Sequence, residues 1–257
     1  MWPFKKRNQL VNVTDTTINS VLCIPGNWNS REEFILSIVS STEGEYINVG
    51  NVLLNTKLKQ HYTIEFCERD DRMYEAFKYA GKVNNVSEFF LEEIGSHKYV
   101  IYINATTGSL KEAGNIAFAG LAILRSGGIG IKVETAGKAF EKDQWAKCLE
   151  NFETSNLYDM FVLDSIVYPD GSTYSCGMHN IGFKDTLVSG EEFQDAVKLI
   201  RIFSFYQIVD NPIIHNNQTF SIDSHSPRFR ITNELSQPNE GIELFENPFG
   251  LWKLSRV

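Results

Sequence analysis

Apolar residues recur with two different periods along the chain, and these periods predict a mixture of strands and helices. Residues 61–69 alternate in polarity, with Tyr62, Ile64 and Phe66 on one side, which is typical of a half-buried strand. Residues 99–103 are apolar almost throughout, which predicts a central strand of a sheet. Other segments repeat their apolar residues every three or four positions, which is the period of an amphipathic helix.

Applied to the whole chain, these patterns predict a series of elements. Strands are predicted over residues 21–24, 46–55, 61–69, 99–103, 129–135, 160–168, 173–183, 219–222, 228–232 and 242–254. Helices are predicted over residues 30–39, 70–81, 87–95, 109–126, 143–152 and 189–204. At Ser30 and at Ser189 a helix is predicted to begin with a serine that is followed three residues later by a glutamate, which fits a capping box.

This order of elements predicts an α+β fold, with mixed β-sheets and packed helices in one compact body of two subdomains. Residues 1–20 are expected to form an N-terminal extension, and residues 21–155 a βαβ-like first subdomain. Residues 156–257 are expected to contain a hairpin, a long helix and C-terminal strands. The turn of that hairpin is Pro169-Asp170-Gly171-Ser172.

A glycine-rich run, Gly127-Gly128-Ile129-Gly130, follows the predicted helix 109–126 at once. Glycine-rich turns that bind phosphate stand before a helix, where free N–H groups and the positive end of the helix dipole lie. Here the glycines follow the helix and face its carbonyl end, which repels anions. We therefore interpret them as a left-handed helix stop, in which Gly127 or Gly128 has a positive φ.

The chain is acidic, and its charge narrows the classes of partner. Its 257 residues carry a formal net charge of −8, and the isoelectric point is near 5.2. The basic run Lys5-Lys6-Arg7 is too short for a nucleic-acid interface, so we predict no nucleic-acid partner. An acidic surface fits plain solubility, and it also fits a basic protein partner that is attracted electrostatically.

The sequence shows neither a secretory signal nor a membrane span. Residues 8–20 are largely polar, and the longest weakly polar stretch, residues 113–124, is too short to cross a bilayer. The four cysteines are scattered without a C-x-x-C pair, which argues against a zinc knuckle and favours a reduced setting. We therefore expect a cytoplasmic location.

Two groups of residues contain side-chain types that carry chemistry. Cys176 and His179 are close in sequence, but in an extended strand they point to opposite faces, which disfavours a catalytic dyad. Asp223 and His225 point the same way in a strand, and His215 would complete a three-ligand metal set, although such spacing also arises by chance. No nucleophile elbow or phosphate-binding motif is present. We predict no catalytic residue, no metal and no cofactor.

Several short glycine and aromatic motifs resemble those of a bacterial family. A small-residue helix leads into Arg125-Ser126-Gly127-Gly128-Ile129-Gly130-Ile131-Lys132-Val133, then Ala136-Gly137-Lys138-Ala139 and Trp145. The hairpin ends in Gly177-Met178-His179-Asn180-Ile181-Gly182-Phe183-Lys184-Asp185. Over residues 20–235 the chain resembles the bacterial domain-of-unknown-function family 4261. The resemblance implies a fold but no catalytic residues, and similar domains occur among toxin–immunity and secretion-associated genes.

Together these observations predict a cytoplasmic protein-binding module. In its most concrete form it is an immunity protein that neutralises a basic toxin by covering the toxin's active surface. Glu134, Trp145, Tyr168, Met178 and His179 are predicted near the contact, with core packing as the alternative for Trp145 and Met178. A second hypothesis is an enzyme of unrecognised class, with a cleft around His179 between the two subdomains. The oligomeric state is left open.

Overall fold

Two β-sheets follow one another along the chain. The computed structural model describes residues 18–150 and 152–257, and seven α-helices pack on the sheets within these ranges. The prediction of an α+β fold is confirmed. Residues 1–17 of the predicted N-terminal extension, including Lys5-Lys6-Arg7, lie outside the described residues, whereas Asn19 and Ser20 already belong to the first strand.

The first sheet has seven strands in the order β2-β3-β4-β5-β1-β6-β7, and every neighbouring pair is antiparallel. Its strands are β1 Asn19–Gly26, β2 Tyr46–Val49, β3 Val52–Asn55, β4 Gln60–Glu68, β5 Tyr99–Thr106, β6 Gly130–Val133 and β7 Lys138–Glu141. The second sheet has six strands in the order β11-β12-β13-β10-β9-β8. Its strands are β8 Leu163–Val167, β9 Thr173–Cys176, β10 Asp185–Ser189, β11 Thr219–Phe220, β12 Phe229–Glu234 and β13 Leu251–Arg256.

The helices lie mainly between and beside these strands in the sequence. They are α1 Arg31–Ser41, α2 Met73–Ala80, α3 Glu88–Gly95, α4 Leu110–Arg125, α5 Lys142–Glu150, α6 Thr154–Phe161 and α7 Phe193–Phe205. Ser30 caps α1 as predicted, because its side chain accepts a hydrogen bond from the Glu33 N–H. The box predicted at Ser189 is wrong: that serine ends β10, and α7 begins after Glu192 without a side-chain cap.

The predicted βαβ-like arrangement needs a correction. Strands β5 and β6 run parallel to each other and are joined by α4, as in a βαβ unit, but they are not neighbours. Strand β1 lies between them and is antiparallel to both. The crossover is therefore split, which places β1 in the interior of the sheet, next to the middle strand β5.

Strand β5 is buried on both faces, which explains its nearly continuous apolar sequence. Ile101 and Ile103 belong to the main core, which also holds residues of α1, α4, α5 and α6. Val100 points to the opposite face and belongs to a second core with residues of α2 and α3. A third core lies between the second sheet and α7. Helices on both faces of the first sheet thus remove its central strands from water.

The glycines after α4 form a left-handed helix stop, as predicted. Gly127 has a φ of +126°, and the Gly128 N–H donates to the carbonyl of Ile123 at 3.1 Å. A Cβ atom at Gly127 would lie 2.7 Å from the indole Nε1 of Trp28, which itself donates to the Ser126 carbonyl. Glycine is therefore required here by the backbone conformation and by the packed indole.

Several predicted strands have different limits in the structure. Residues 46–55 form the hairpin of β2 and β3, and the first part of 160–168 belongs to α6, whose buried Leu157 and Phe161 are one helical turn apart. The return strand 173–183 stops at Cys176. Residues 242–250 of the predicted strand 242–254 form irregular turns before β13 begins.

Candidate functional site

A cleft of about 380 Å³ lies between the two parts of the molecule. This volume is at the small end of the range for ligand pockets. The first sheet and its connections contribute the lining residues Ile18, Asn19, Val21, Asn104 and Thr135. The C-terminal part contributes His179, Gln237, Glu243, Leu244, Glu246, Asn247 and Pro248. All of these C-terminal residues except His179 belong to residues 235–250, which we call the β12–β13 loop.

His179 lies on a short 3-10 turn, Met178–Ile181, instead of on the strand that the sequence predicted. The turn follows Gly177, which has a φ of +113°. A Cβ atom at Gly177 would lie 2.1 Å from the carbonyl oxygen of Phe161, so only glycine fits. This bend ends β9 and directs the next three residues toward the first sheet.

The neighbouring residue Asn180 ties this turn to the first sheet. Its Oδ1 accepts hydrogen bonds from Ser20 Oγ at 2.5 Å and from Thr135 Oγ1 at 2.7 Å. Its Nδ2 donates to the Gly177 carbonyl at 2.8 Å, and its own carbonyl accepts from the Gly108 N–H. Because Asn180 is fully buried and its side chain is fully used, it fixes the position of His179 at the cleft.

His179 itself has no such partners. Only 3% of the residue is exposed, and its Nδ1 has no hydrogen-bond partner among the described residues. Burial lowers the pKa of the imidazole to about 4, so the ring is neutral near pH 7. Buried polar atoms are almost always paired in folded proteins, so the unpaired Nδ1 distinguishes His179 from the other residues that line the cleft.

The lining of the cleft includes two carboxylates, those of Glu243 and Glu246. Glu243 is exposed and Glu246 is partly buried, and neither forms an ion pair with the described residues. No lysine or arginine is among the lining residues in the described ranges. The side-chain amide of Gln237 is already engaged with the backbone of Asn247: its Nε2 donates to the Asn247 carbonyl and its Oε1 accepts from the Asn247 N–H, both at 2.8 Å. The charge available to a ligand is therefore negative.

Cys176 is not arranged as a nucleophile for His179. Its thiol is directed at two carbonyl oxygens, those of Thr135 at 4.0 Å and Phe245 at 3.9 Å. Burial raises the pKa of this thiol well above its usual value, so it stays protonated. The sequence argument against a dyad relied on both residues lying in one strand, which is not the case, but the chemistry of the thiol leads to the same result.

Two of the predicted contact residues lie in the core instead of on the surface. Trp145 and Met178 have 0% exposure. The indole Nε1 of Trp145 donates to the Ala117 carbonyl at 3.1 Å, and the ring packs against Phe140 and Phe161. This corrects the expectation that these two side chains lie at a contact surface, and it agrees with the alternative of core packing.

Glu134 and Tyr168 lie outside the cleft. Glu134 stands between β6 and the cleft-lining Thr135, and its carboxylate pairs with Lys132 at 2.7 Å. Tyr168 is 39% exposed at the hairpin turn and stacks edge-on against Tyr174. Of the five predicted residues, His179 lines the cleft and Glu134 adjoins it.

The sequence set of Asp223, His225 and His215 does not assemble. The Asp223 carboxylate accepts hydrogen bonds from the backbone N–H groups of His225 and Ser226, both at 2.8 Å, which is a local turn. No group of three His, Cys, Asp or Glu side chains in the described ranges is placed to hold a metal ion.

Sequence reasoning missed the β12–β13 loop, which supplies most of one wall of the cleft. Its signal was present in Pro238 and Pro248 and in the turn residues Asn239, Glu240 and Gly241. Those residues break a strand pattern, but the apolar Ile242, Leu244 and Phe245 between the two prolines imitate one.

Comparisons with protein-family models, with curated proteins and with solved structures found no match. The resemblance to the domain-of-unknown-function family 4261 therefore stays a prediction. All four cysteines are free thiols. None of the helices in the described ranges has both the length and the apolar character needed to cross a bilayer.

Proposed function

We propose that this protein is a binding protein, and that the cleft at His179 recognises a positively charged group that donates hydrogen bonds. The observation that carries this proposal is the buried, unpaired and neutral imidazole of His179, in a cleft whose described lining includes Glu243 and Glu246 but no lysine or arginine. A neutral imidazole offers one acceptor nitrogen, and the carboxylates offer only acceptors. A cation with several N–H groups is complementary to this set.

The carboxylates of the cleft supply the attraction for such a group. Each exposed carboxylate adds a favourable interaction of about 0.2–1 kcal/mol with a cation. These terms are modest, so we expect weak affinity for a single small cation and higher affinity when the cation is part of a larger surface.

We propose that the cation is a lysine or arginine side chain of a basic protein. The net charge of −8 would accelerate encounter with such a partner, and salt would slow it. A cleft of about 380 Å³ suits a single side chain better than a folded segment. If the family resemblance holds, the partner is a bacterial toxin, the protein is its cytoplasmic immunity protein, and no nucleic acid is involved.

An enzyme with His179 at its centre is the second candidate. The neutral imidazole in a cleft favours it. Two observations weigh against it: an imidazole with a pKa of about 4 is a weak base, and the nearby Cys176 thiol stays protonated. Turnover of any substrate that disappears in His179→Gln would favour the enzyme over the binding protein.

The test uses a pair of small probes that differ in charge. Nα-acetyl-arginine amide carries the guanidinium, and Nα-acetyl-citrulline amide has nearly the same shape without the charge. We expect the arginine probe to bind to the full chain with millimolar or better affinity, and the citrulline probe to bind at least several-fold more weakly. Isothermal titration or amide NMR shifts would measure both affinities. Equal affinities for the two probes, or binding of neither, would refute the proposal.

The carboxylates of the cleft have a matched control elsewhere on the surface. Glu243→Gln and Glu246→Gln should each weaken the arginine probe by about 1.5- to 5-fold, which corresponds to exposed charge pairs. Glu93→Gln removes an exposed carboxylate from α3, away from the cleft, and should leave the affinity unchanged. An equal loss in all three variants would mean that only the overall charge matters.

A further inference from the structure

Asp185, the first residue of β10, is a buried carboxylate that does not line the cleft but contacts both of its C-terminal components. Its Oδ1 accepts hydrogen bonds from Ser175 Oγ at 3.0 Å and from the Met178 N–H at 3.2 Å. Its Oδ2 accepts from Asn247 Nδ2 at 2.7 Å. One carboxylate thus joins β9, the turn that carries His179, and the β12–β13 loop.

The amide of Asn247 cannot reverse its orientation without losing other bonds. Its Nδ2 also donates to the Phe183 carbonyl at 2.9 Å, and its Oδ1 accepts from the Phe249 N–H at 2.9 Å. Asn247 therefore presents an N–H group to Asp185. Only an acceptor at Asp185 Oδ2 completes this arrangement.

We infer that Asp185 is a positioning residue of the cleft, whose negative charge holds the His179 turn and the β12–β13 loop in their places. Its role in ligand recognition rests on the proposed function, whereas its role in holding the two segments does not. When the carboxylate takes up a proton, one oxygen becomes a donor. A proton on Oδ2 would face the donating amide of Asn247, and a proton on Oδ1 would face the donating N–H of Met178, so protonation weakens the bond to one of the two segments and the loop would move relative to His179.

Asp185 changes its charge in a pH range where the charges of its nearest titratable neighbours stay constant. Burial raises the pKa of Asp185 to about 6. On β9, burial raises the pKa of Tyr174 to about 12 and that of Cys176 well above its usual value. On the turn, burial lowers the pKa of His179 to about 4. None of these three neighbours changes its charge near pH 6.

The remaining charged groups nearby belong to the flanking segments. Lys184 precedes Asp185, and its ammonium lies 4.1 Å from the centre of the Trp252 ring. Glu246 precedes Asn247 in the loop, and its carboxylate accepts from the Gly241 N–H. The strand β13 and the turn after α7 present Leu251 and Gln207, which carry no charge. Glu246 therefore needs a control in the test.

The test follows the Cε1–H signal of His179 by NMR in the ligand-free full chain, between about pH 5 and pH 7.5. His179→Gln assigns the signal. We expect the wild-type signal to shift in a one-proton step with a midpoint of about 6, because the ring senses the charge of Asp185 and the movement of the loop. Asp185→Asn should abolish the step, and Glu246→Gln should retain it.

A further variant keeps the test decisive if Asp185→Asn does not fold. Asn247→Ala removes one donor from the carboxylate, so the midpoint of the step should move to a higher pH. A merely structural role for Asn247 would not move it. Absence of a step in the wild type, persistence of the step in Asp185→Asn, or an unmoved midpoint in Asn247→Ala would overturn the inference.

The arginine probe separates this inference from the proposed function. Affinity of the wild type for the probe should fall as the pH falls through about 6, and Asp185→Asn should bind weakly at every pH in the range. A wild type that shows the NMR step but binds no probe would refute the proposed function and keep the positioning role. A wild type that binds the probe but shows no NMR step would refute the positioning role and keep the proposed function.

Discussion

At the scale of single residues, the site depends on contrasts between neighbours in one short segment. Every polar atom of the Asn180 side chain is paired, and its Oδ1 joins the turn to the first sheet, whereas the Nδ1 of His179 beside it has no partner among the described residues. Met178, on the other side, is packed in the core and donates its backbone N–H to Asp185. The buried neighbours hold the backbone rigidly, and this allows the imidazole to remain unpaired at the cleft.

The buried His179 and Asp185 predict a measurable pH dependence of stability. The pKa of His179 is lowered from 6.5 to about 4 in the folded protein, so its contribution is present above about pH 6.5 and is lost as the pH falls toward 4. The pKa of Asp185 is raised from 3.8 to about 6, so its contribution is present below 3.8 and is lost as the pH rises through 6. Each amounts to roughly 3 kcal/mol, and the two nearly cancel between these limits.

Removing one of the two groups should reveal the pH dependence of stability that the other group causes. In His179→Gln only the Asp185 contribution remains, so the free energy of unfolding should fall by roughly 3 kcal/mol between about pH 4 and pH 6.5, relative to the wild type. Urea unfolding at several pH values measures this difference. A difference between variant and wild type that stays constant with pH would show that His179 is not kept neutral by burial.

The left-handed glycine after α4 gives a second prediction at this scale. Gly127→Ala places a Cβ in an unfavourable backbone region and against Trp28, so we expect a loss of roughly 2–4 kcal/mol in stability. Gly44 has a φ of +76°, but a Cβ atom there would meet open space. Gly44→Ala therefore isolates the backbone cost of about 1–2 kcal/mol. Thermal or urea unfolding would compare them, and equal losses would mean that Trp28 moves aside freely.

At the scale of elements, the sequence predicts those helix limits that interactions within a few residues determine. The helix α4 is framed by the Ser109 cap and by Gly127, both of which act within a few residues, and its limits agree with the prediction. The pairing of β1 between β5 and β6 depends on contacts far apart in the chain, and no local pattern carries it. Likewise, the apolar Ile242 and Leu244 suggested a strand, although both are exposed in a loop.

Two serines test the difference between a true cap and an apparent one. Ser109 accepts from the Glu112 N–H at 3.2 Å, so Ser109→Ala should cost about 1 kcal/mol of stability. Ser189 fits the capping pattern equally well in sequence, but it ends β10 and its Oγ lies 3.2 Å from Ser255 Oγ. We expect Ser189→Ala to cost clearly less in the same urea unfolding experiment, and the opposite order would restore the capping box.

At the scale of the whole molecule, the cleft exists because two sheets from different parts of the chain meet. His179 could be named from the sequence as a cleft residue, although the pattern there predicts a strand and the structure shows a turn. Other lining residues, such as Asn104 and Glu243, could not be assigned to the cleft from the sequence. They lie far from His179 along the chain, and only the folded structure brings them together. Trp145 is a large aromatic residue, and burial of its ring places it in the core instead of at a contact surface.

The position of a bound cation tests the account most directly. With Nα-acetyl-arginine amide present in excess, intermolecular nuclear Overhauser effects would identify the protons of the protein that lie next to the side chain of the probe. We predict contacts from the δ-methylene protons of the probe to the imidazole ring of His179 and to Thr135 and Leu244, which line the same cleft. Contacts confined to other surfaces, or binding without any contact to His179, would contradict the account.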